Sequence, residues 1–209
     1  MPFRTSMFSG VRVASAFRPT TPATRIWAAG LHHSAFFSSN MIQTGSTLPS
    51  VTLQHDGSPA NTVDALDYFR QFNKAVLIGV PGAFTPGCSK SHVPSYLEAS
   101  ARLHKEKGVD AIACVSVNDA FVMDAWAKDQ LANTAEVDGK PAMEFLADPR
   151  AEFVKAMGLD FDATGVLGSV RSKRFVMILE KGVVKHVQVE PDFTGLTCTL
   201  AKDVAPLLD

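Results

Sequence analysis

The chain has 209 residues, of which 46% are hydrophobic and 20% are charged, as in an ordinary soluble globular protein. Its net charge of −1 hides an asymmetry, because residues 1–40 contain four of the 20 basic residues and no acidic residue. The rest of the chain therefore has 16 basic residues against 21 acidic ones, a balance that argues against binding to a nucleic-acid backbone.

Residues 1–40 have the composition of a mitochondrial presequence, since they combine arginine with many serines and threonines and lack acids. We expect a targeting segment at 1–40, cleaved between Trp27 and Asn40, followed by a single domain at 41–209. A disordered basic tail is the alternative for this segment, and Met41 is a candidate second start that would give a cytosolic form. No stretch has the ~18 apolar residues needed to cross a bilayer, so no membrane association is expected.

The first elements predicted for the domain are short. Residues 50–53 are a candidate strand, and residues 56–59 follow as a turn. Asn61 or Thr62 is a suitable cap for a helix over residues 63–69. This helix is expected to lead into the first buried strand.

The chain is organised around a strand, a turn and a helix. Residues 74–80 contain a continuous β-branched apolar run, which is typical of a strand buried on both faces. The turn that follows places Cys88 at the start of a helix, which is predicted to end at Gly108. Pro94 removes a backbone donor inside that helix, so a kink is expected there. Unpaired N–H groups and the helix dipole at the helix start favour a reactive thiolate.

The second half of the chain alternates strands with helices and ends in a hairpin. The predicted elements are a strand at 109–117, a helix capped by residues 118–119, a strand at 144–147, a helix from Asp148 to Met157, a loop at 160–168, hairpin strands at 174–179 and 183–189, and a last helix at 199–208. This order indicates an α/β fold in which helices flank a central mixed sheet.

Pro81, Thr85 and Cys88 form a Pro-x-x-x-Thr-x-x-Cys motif that resembles the active-site loop of the peroxiredoxins. The match is to the type II or peroxiredoxin-5-like group, covers the chain after residue 45, and includes further segments at 115–122, 173–175 and 190–198. The resemblance implies a thioredoxin-like fold, thiol-dependent reduction of hydrogen peroxide and small organic hydroperoxides, and a role in antioxidant defence. It also implies a homodimer, recycled by thioredoxin or by glutaredoxin with glutathione.

Cys88 is the predicted peroxidatic nucleophile, whose thiolate attacks a peroxide oxygen and becomes a sulfenic acid. The resemblance assigns the Thr85 hydroxyl to donation of a hydrogen bond to the peroxide, and Pro81 to shielding of the thiolate. Each also has a simpler role, Thr85 as a turn residue and Pro81 as the end of a strand.

Arg174 lies in a Lys-Arg-Phe context that resembles the one around the family's active-site arginine, whose permanent charge stabilises the thiolate and the developing oxyanion. The residues alone do not distinguish it from Arg171, Lys173 or a solvated charge on a strand edge. His92 is not needed as a base beside an arginine, so it is expected to pack or to form hydrogen bonds.

A second cysteine is expected to resolve the sulfenic acid as a disulfide. Cys198, in a Gly-Leu-Thr loop, matches the animal-like members of the group, and Cys114, in an apolar run, is the alternative that matches the plant members. Cys198 is preferred because a loop moves at lower cost than a buried strand. Three scattered cysteines do not make a secreted disulfide framework. Apart from His92, four residues after Cys88, no histidine has metal-ligand spacing with a cysteine, and sulfur itself cycles, so neither a metal nor another cofactor is expected.

Two other functions remain open. A thiol-disulfide oxidoreductase on the same fold would need a second cysteine where Ser91 stands. A peroxide sensor would relay its oxidation to a partner, and it would react once where an enzyme turns over repeatedly.

Overall fold

Nine strands and six α-helices lie within the described residues, 41–139 and 141–208, of a computed structural model. The strands are β1 (Thr52–His55), β2 (Ser58–Asp64), β3 (Ala75–Val80), β4 (Ala111–Ser116), β5 (Glu144–Ala147), β6 (Asp160–Asp162), β7 (Val170–Ser172), β8 (Phe175–Glu180) and β9 (Val183–Val189). The α-helices are α1 (Ala65–Arg70), α2 (Val93–Lys107), α3 (Ala120–Leu131), α4 (Glu152–Ala156), α5 (Thr164–Leu167) and α6 (Ala201–Val204). A π-helical turn, Cys88–His92, precedes α2, and a 3-10 turn, Ala205–Leu208, follows α6. The expected targeting segment at 1–40 lies outside the described residues.

Seven strands form one mixed sheet in the order β2-β1-β5-β4-β3-β8-β9, and β6 pairs with β7 separately. β3 is parallel to β4 and antiparallel to β8, while β4 is also parallel to β5. All six residues of β3 and all six of β4 are buried, as the continuous apolar runs predicted. The α/β fold with a central mixed sheet is thereby confirmed.

Helices cover both faces of this sheet. Because side chains alternate along a strand, Val76 and Ile78 of β3 pack in one core cluster with α2 and α3, and Leu77 packs in a second cluster with α1 and α4. Cys88 and Cys114 both belong to the first cluster. These two sulfurs therefore lie on the same side of the sheet.

The helix predicted over residues 63–69 starts two residues later in the structure. Residues 58–64 form β2, which pairs antiparallel with β1, so that Thr62 lies opposite Gln54. The helix α1 starts at Ala65, and the Asp64 carboxylate caps it by accepting the Asp67 N–H at 3.0 Å. Asn61 and Thr62 are therefore strand residues and not caps.

Three further elements differ from the expectation, and one of them is the helix predicted from Asp148, which starts at Glu152. The predicted loop at 160–168 contains β6 and α5, and β6 pairs with β7 from Asp160 opposite Ser172 to Asp162 opposite Val170. The last helix begins at Ala201, two residues later than predicted, because the Thr199 N–H donates instead to the Glu190 carboxylate. Within the described residues, no helix combines the length and apolar character that crossing a membrane requires.

The loops that leave β3 and β4 meet at one edge of the sheet, as expected for parallel neighbours. The Asn118 side chain, after β4, accepts the Ala83 N–H at 3.0 Å and the Ser116 hydroxyl at 2.8 Å. Asn118 therefore ties the loop after β3 to the neighbouring strand, whereas Asp119 alone caps α3 through the Val122 N–H at 2.9 Å.

Candidate active site

Cys88 is the first residue of the π-helical turn, and its side chain is fully buried. The turn is fixed at its two ends, where the Ser89 N–H donates to the Thr85 carbonyl at 2.9 Å and the Val93 N–H donates to the Cys88 carbonyl. Pro94 is the second residue of α2, and because residues 86–92 are already helical, it lies inside a continuous helical stretch, where its missing N–H removes one hydrogen bond. The irregularity expected near Pro94 takes the form of this π-helical turn, a feature that often marks functional sites.

Arg174 supplies the hydrogen-bond donor to Cys88. Its Nη1 lies 3.4 Å from the Cys88 Sγ, and the residue is only 2% exposed. Its Nε donates to the Thr194 carbonyl at 3.0 Å, and its backbone N–H donates to the Phe193 carbonyl at 2.7 Å. No carboxylate among the described residues forms an ion pair with Arg174. Arg174 is thus a buried cation that directs one of its N–H groups at the Cys88 sulfur.

His92 connects Arg174 to the chain beyond Cys198. Its Nε2 lies 3.0 Å from the Thr199 carbonyl, which can only accept, so Nε2 carries the hydrogen. Its Nδ1 then accepts from Arg174 Nη1 at 3.2 Å. Burial, and after it the Arg174 charge, lowers the pKa of His92 to about 3. His92 is thus a neutral hydrogen-bonding residue, and the same Thr199 carbonyl also accepts the Tyr96 hydroxyl at 2.8 Å.

Thr85 and Pro81 lie in the loop between β3 and Cys88. Pro81 follows β3 directly and is buried, while Thr85 is half-buried. The Thr85 hydroxyl donates its one hydrogen to the Gly82 carbonyl at 2.9 Å, the turn role expected for a threonine here. The donation to a peroxide that the resemblance implied would need this same hydrogen, which the Gly82 carbonyl takes in this structure, whereas the lone pairs of the hydroxyl remain able to accept a hydrogen from a peroxide.

Arg171 and Lys173, the other candidates for the site cation, bind elsewhere. Arg171 donates to the carbonyls of Val117 and Leu167, at 3.0 and 3.1 Å. Lys173 Nζ donates to the Gly158 carbonyl at 3.2 Å and lies 4.7 Å from the centre of the Phe193 ring. In this structure it is Arg174 that contacts Cys88.

Gly87 lies close to the Arg174 guanidinium, an approach that the sequence did not indicate. A Cβ at this position would lie 3.1 Å from Arg174 Nη2 and 3.8 Å from Leu196 Cδ1. The absence of a side chain at Gly87 therefore lets the arginine approach the Cys88 turn closely, whereas a Cβ there would be in ordinary contact with Leu196. A Gly-Cys pair at a helix start is the only sequence signal for this approach.

Cys198 is half-buried in a segment that one carboxylate holds in place. The backbone N–H groups of Thr197, Cys198 and Thr199 all donate to the buried Glu190 side chain, at 2.9 to 3.0 Å. Burial, and then the Glu190 charge, raises the pKa of the Cys198 thiol. Glu190, the first residue of the 190–198 segment, thus restrains the loop of Cys198, which was expected to be mobile.

Cys114 lies in β4, opposite Ile78 of β3, and is fully buried. Burial, and then the nearby Cys88 sulfur, raises the pKa of its thiol. Cys114 thus lies in a central strand that is hydrogen-bonded to β3 on one side and to β5 on the other. All three cysteines are free in this structure. Across the described residues, no group of three or more His, Cys, Asp or Glu side chains is arranged to bind a metal ion.

Comparisons with known proteins find similar sequences and structures. The model of the Redoxin family matches residues 43–203. Peroxisomal membrane associated protein 20 of Schizosaccharomyces pombe is 40% identical over 166 residues, which are 78% of this chain and 97% of that protein. Mitochondrial peroxiredoxin-2F of Arabidopsis thaliana is 35% identical over 187 residues, 86% of this chain and 88% of that protein. Reduced Prx3 of Vibrio vulnificus, in a crystal structure with hydrogen peroxide, is 41% identical with a TM-score of 0.70, covering 81% of this chain and 100% of that one.

Proposed function

Because the chain belongs to the Redoxin family, among the type II or peroxiredoxin-5-like peroxiredoxins, we propose that Cys88 is its peroxidatic cysteine and Cys198 its resolving cysteine. Membership of this family makes the protein a peroxidase that takes a peroxide substrate and a thiol reductant. The observation that supports the assignment of Cys88 is its 3.4 Å contact with Arg174 in a buried site.

The peroxide step is a nucleophilic displacement at oxygen. The Cys88 thiolate attacks one peroxide oxygen, the S–O bond forms and the O–O bond breaks, and the second oxygen leaves with a proton as water or an alcohol. Arg174 stabilises the thiolate before the reaction and the oxyanion that develops during it. The Thr85 hydroxyl accepts a hydrogen from the peroxide, and Pro81 shields the sulfur from water. The resemblance implies hydrogen peroxide and small organic hydroperoxides as substrates, and the burial of Cys88 favours small molecules of this kind.

The resolving step forms a disulfide. The Cys198 sulfur attacks the Cys88 sulfenic acid, the S–S bond forms, and the S–O bond breaks with release of water. Thioredoxin, or glutaredoxin with glutathione, then reduces the disulfide in an exchange that returns both thiols. Repeated turnover of this cycle would remove hydroperoxides in antioxidant defence.

One equivalent of hydrogen peroxide is expected to produce a disulfide between Cys88 and Cys198. Cys198 lies in a loop, whereas Cys114 lies in a central strand that cannot move without breaking sheet hydrogen bonds. The product is measured by peptide mapping of the unreduced protein with mass spectrometry.

A Cys114→Ser variant is the matched control and should form the same bridge. In a Cys198→Ser variant, the oxidised Cys88 should remain as a sulfenic acid that a dimedone probe can trap. A bridge between Cys88 and Cys114 would overturn the assignment of the resolving cysteine.

A homodimer is also part of the proposal. Besides the resemblance, it is supported by large apolar side chains exposed beside the site. Phe84, in the loop before Cys88, is 54% exposed, and Phe193, whose carbonyl binds Arg174, is 40% exposed. A second subunit over this surface would cover both rings.

We place the protein in mitochondria, with residues 1–40 as the presequence. The composition of this segment and the similarity to a mitochondrial peroxiredoxin support the assignment, and other relatives are named for chloroplasts and peroxisomes. N-terminal sequencing of the native protein is expected to begin between Trp27 and Asn40, because a processing protease removes the basic segment after import. A native protein that retains residues 1–25 would contradict the assignment.

A further inference from the structure

Glu190 is a buried carboxylate whose hydrogen bonds come from three consecutive residues around Cys198. Its Oε1 accepts the N–H groups of Thr197, Cys198 and Thr199 at 2.9 to 3.0 Å, and the Thr199 hydroxyl at 2.8 Å. Its Oε2 accepts the N–H and the hydroxyl of Thr197 at 2.9 and 2.7 Å. Burial opposes its ionisation, but the hydrogen bonds from Cys198, Thr197 and Thr199 outweigh burial and lower the pKa of Glu190 to about 2.

The same carboxylate is linked to the Cys88 site by a continuous series of hydrogen bonds. The Glu190 N–H donates to the Arg174 carbonyl at 3.0 Å. Thr199, which donates to Glu190, accepts through its carbonyl from His92, and His92 accepts from the Arg174 guanidinium. Displacement of residues 197–199 therefore removes supports of the arginine that contacts Cys88.

The two proposed redox cysteines have opposite electrostatic environments. Cys88 contacts the positively charged guanidinium of Arg174, whereas Cys198 lies beside a carboxylate, whose charge together with burial raises the pKa of the Cys198 thiol. A thiol is a much weaker nucleophile than a thiolate. In the arrangement seen here, Cys88 is prepared for reaction and Cys198 is held back.

We propose that Glu190 is a positioning residue that fixes residues 197–199 while Cys88 is reduced, supporting Arg174 for the peroxide step and restraining Cys198 from the disulfide step. This inference rests on the resolving role proposed above for Cys198. The disulfide step then requires that residues 197–199 leave the carboxylate, after which the Cys198 sulfur attacks the Cys88 sulfenic acid and water is released. The two steps of the cycle thus place opposite demands on Glu190.

Replacement of Glu190 with glutamine is expected to change the two steps in opposite directions. The amide has nearly the same size, but its NH2 group faces donors of Thr197 or Thr199 where an oxygen stood. Oxidation of Cys88 should slow about tenfold, and disulfide formation should accelerate about tenfold, as the loss of one charge-assisted hydrogen bond predicts. Rapid quenching with mass spectrometry separates the steps. Trp126, whose Nε1 donates to Ser89 at 3.0 Å, provides a fluorescence signal from the turn.

Two further variants separate this role from a loss of folding. Thr197→Val removes the hydroxyl that bonds to Glu190 and that also neighbours the Cys198 thiol; the position is exposed, so the variant should fold normally and shift both rates in the same directions by a smaller factor. Asp148→Asn is the matched control, because Asp148 is another buried carboxyl that accepts backbone N–H groups, from Glu152 and Val154 of α4. Both rate constants of the Asp148 variant should stay within about twofold of wild type.

The outcomes distinguish the positioning role of Glu190 from the resolving role of Cys198. If Glu190→Gln slows both steps or changes neither, the positioning role is wrong. The alkylation rate of Cys198 in a Cys88→Ser background is a second, independent measure. Glu190→Gln should raise this rate about tenfold, and an unchanged rate would overturn the restraint of Cys198 by Glu190. If wild-type protein bridges Cys88 to Cys114, the resolving role fails, and the alkylation rate alone decides whether Glu190 restrains Cys198.

Discussion

Replacement of Cys88 with serine is expected to reduce peroxide consumption by more than about a thousandfold, to the background of the assay. A serine hydroxyl stays protonated at neutral pH and cannot form a sulfenic acid, so the first bond of the cycle is never made. The rate is measured as reductant-coupled consumption of hydrogen peroxide, with thioredoxin and its reductase in excess.

The control is Cys114→Ser, which exchanges the same atoms at another fully buried cysteine and should retain most of the activity. The wild-type protein should consume many equivalents of peroxide with reductant alone. A protein that consumed a single equivalent and then required a partner would be a sensor. Full activity of the Cys88 variant would assign the reaction to another thiol.

Replacement of Arg174 with glutamine is expected to lower the rate constant of Cys88 with peroxide about 100- to 1000-fold, the usual cost of losing a donor that stabilises a developing charge. The amide cannot supply a positive charge to the sulfur, nor reach Cys88, His92 and Thr194 together as the guanidinium does. Alkylation of Cys88 by iodoacetamide at pH 7 should slow as well, because the thiolate loses its counter-ion. Stopped-flow kinetics measure the first rate, and mass spectrometry measures the second.

Two variants separate the role of Arg174 from a general effect of charge. Lys173→Gln removes one positive charge from the neighbouring position, whose side chain contacts Gly158 and Phe193, and should change the rate less than about threefold. Arg174→Lys keeps the charge but lacks the planar group that binds three partners, so it should restore only part of the rate. If Cys88 in the Arg174→Gln variant reacts with peroxide as fast as in the wild type, the arginine does not act on the thiolate.

The fold was predictable where the sequence signal is local. The apolar runs of β3 and β4 identified the central strands, and Gly108, with a φ of 64°, ends α2 as a left-handed cap. β2 was missed because Asn61 and Thr62 suit a helix cap equally well. Only the pairing with β1 decides that these two residues form a strand, and pairing between strands is not encoded in one segment.

Some residues of the candidate site could be predicted from the sequence, and others could not. The Pro-x-x-x-Thr-x-x-Cys motif and the resemblance indicated Cys88 and Arg174, and the structure brings the two side chains into contact across 86 residues of sequence. Glu190 and Gly87 received no role, because their functions depend on which distant groups approach them. A buried carboxylate is recognised by its partners, and these become visible only in three dimensions.

The π-helical turn at Cys88–His92 also fixes the direction of the nucleophile. Such a turn contains one residue more than the α-helical turn that would otherwise lead into α2. Since each helical residue advances the direction by about 100°, this single extra residue rotates Cys88 by that angle relative to the buried stripe of α2. Chain length between Cys88 and Val93 is therefore as constrained as residue identity: shortening it by one would yield a more regular helix whose sulfur points away from Arg174.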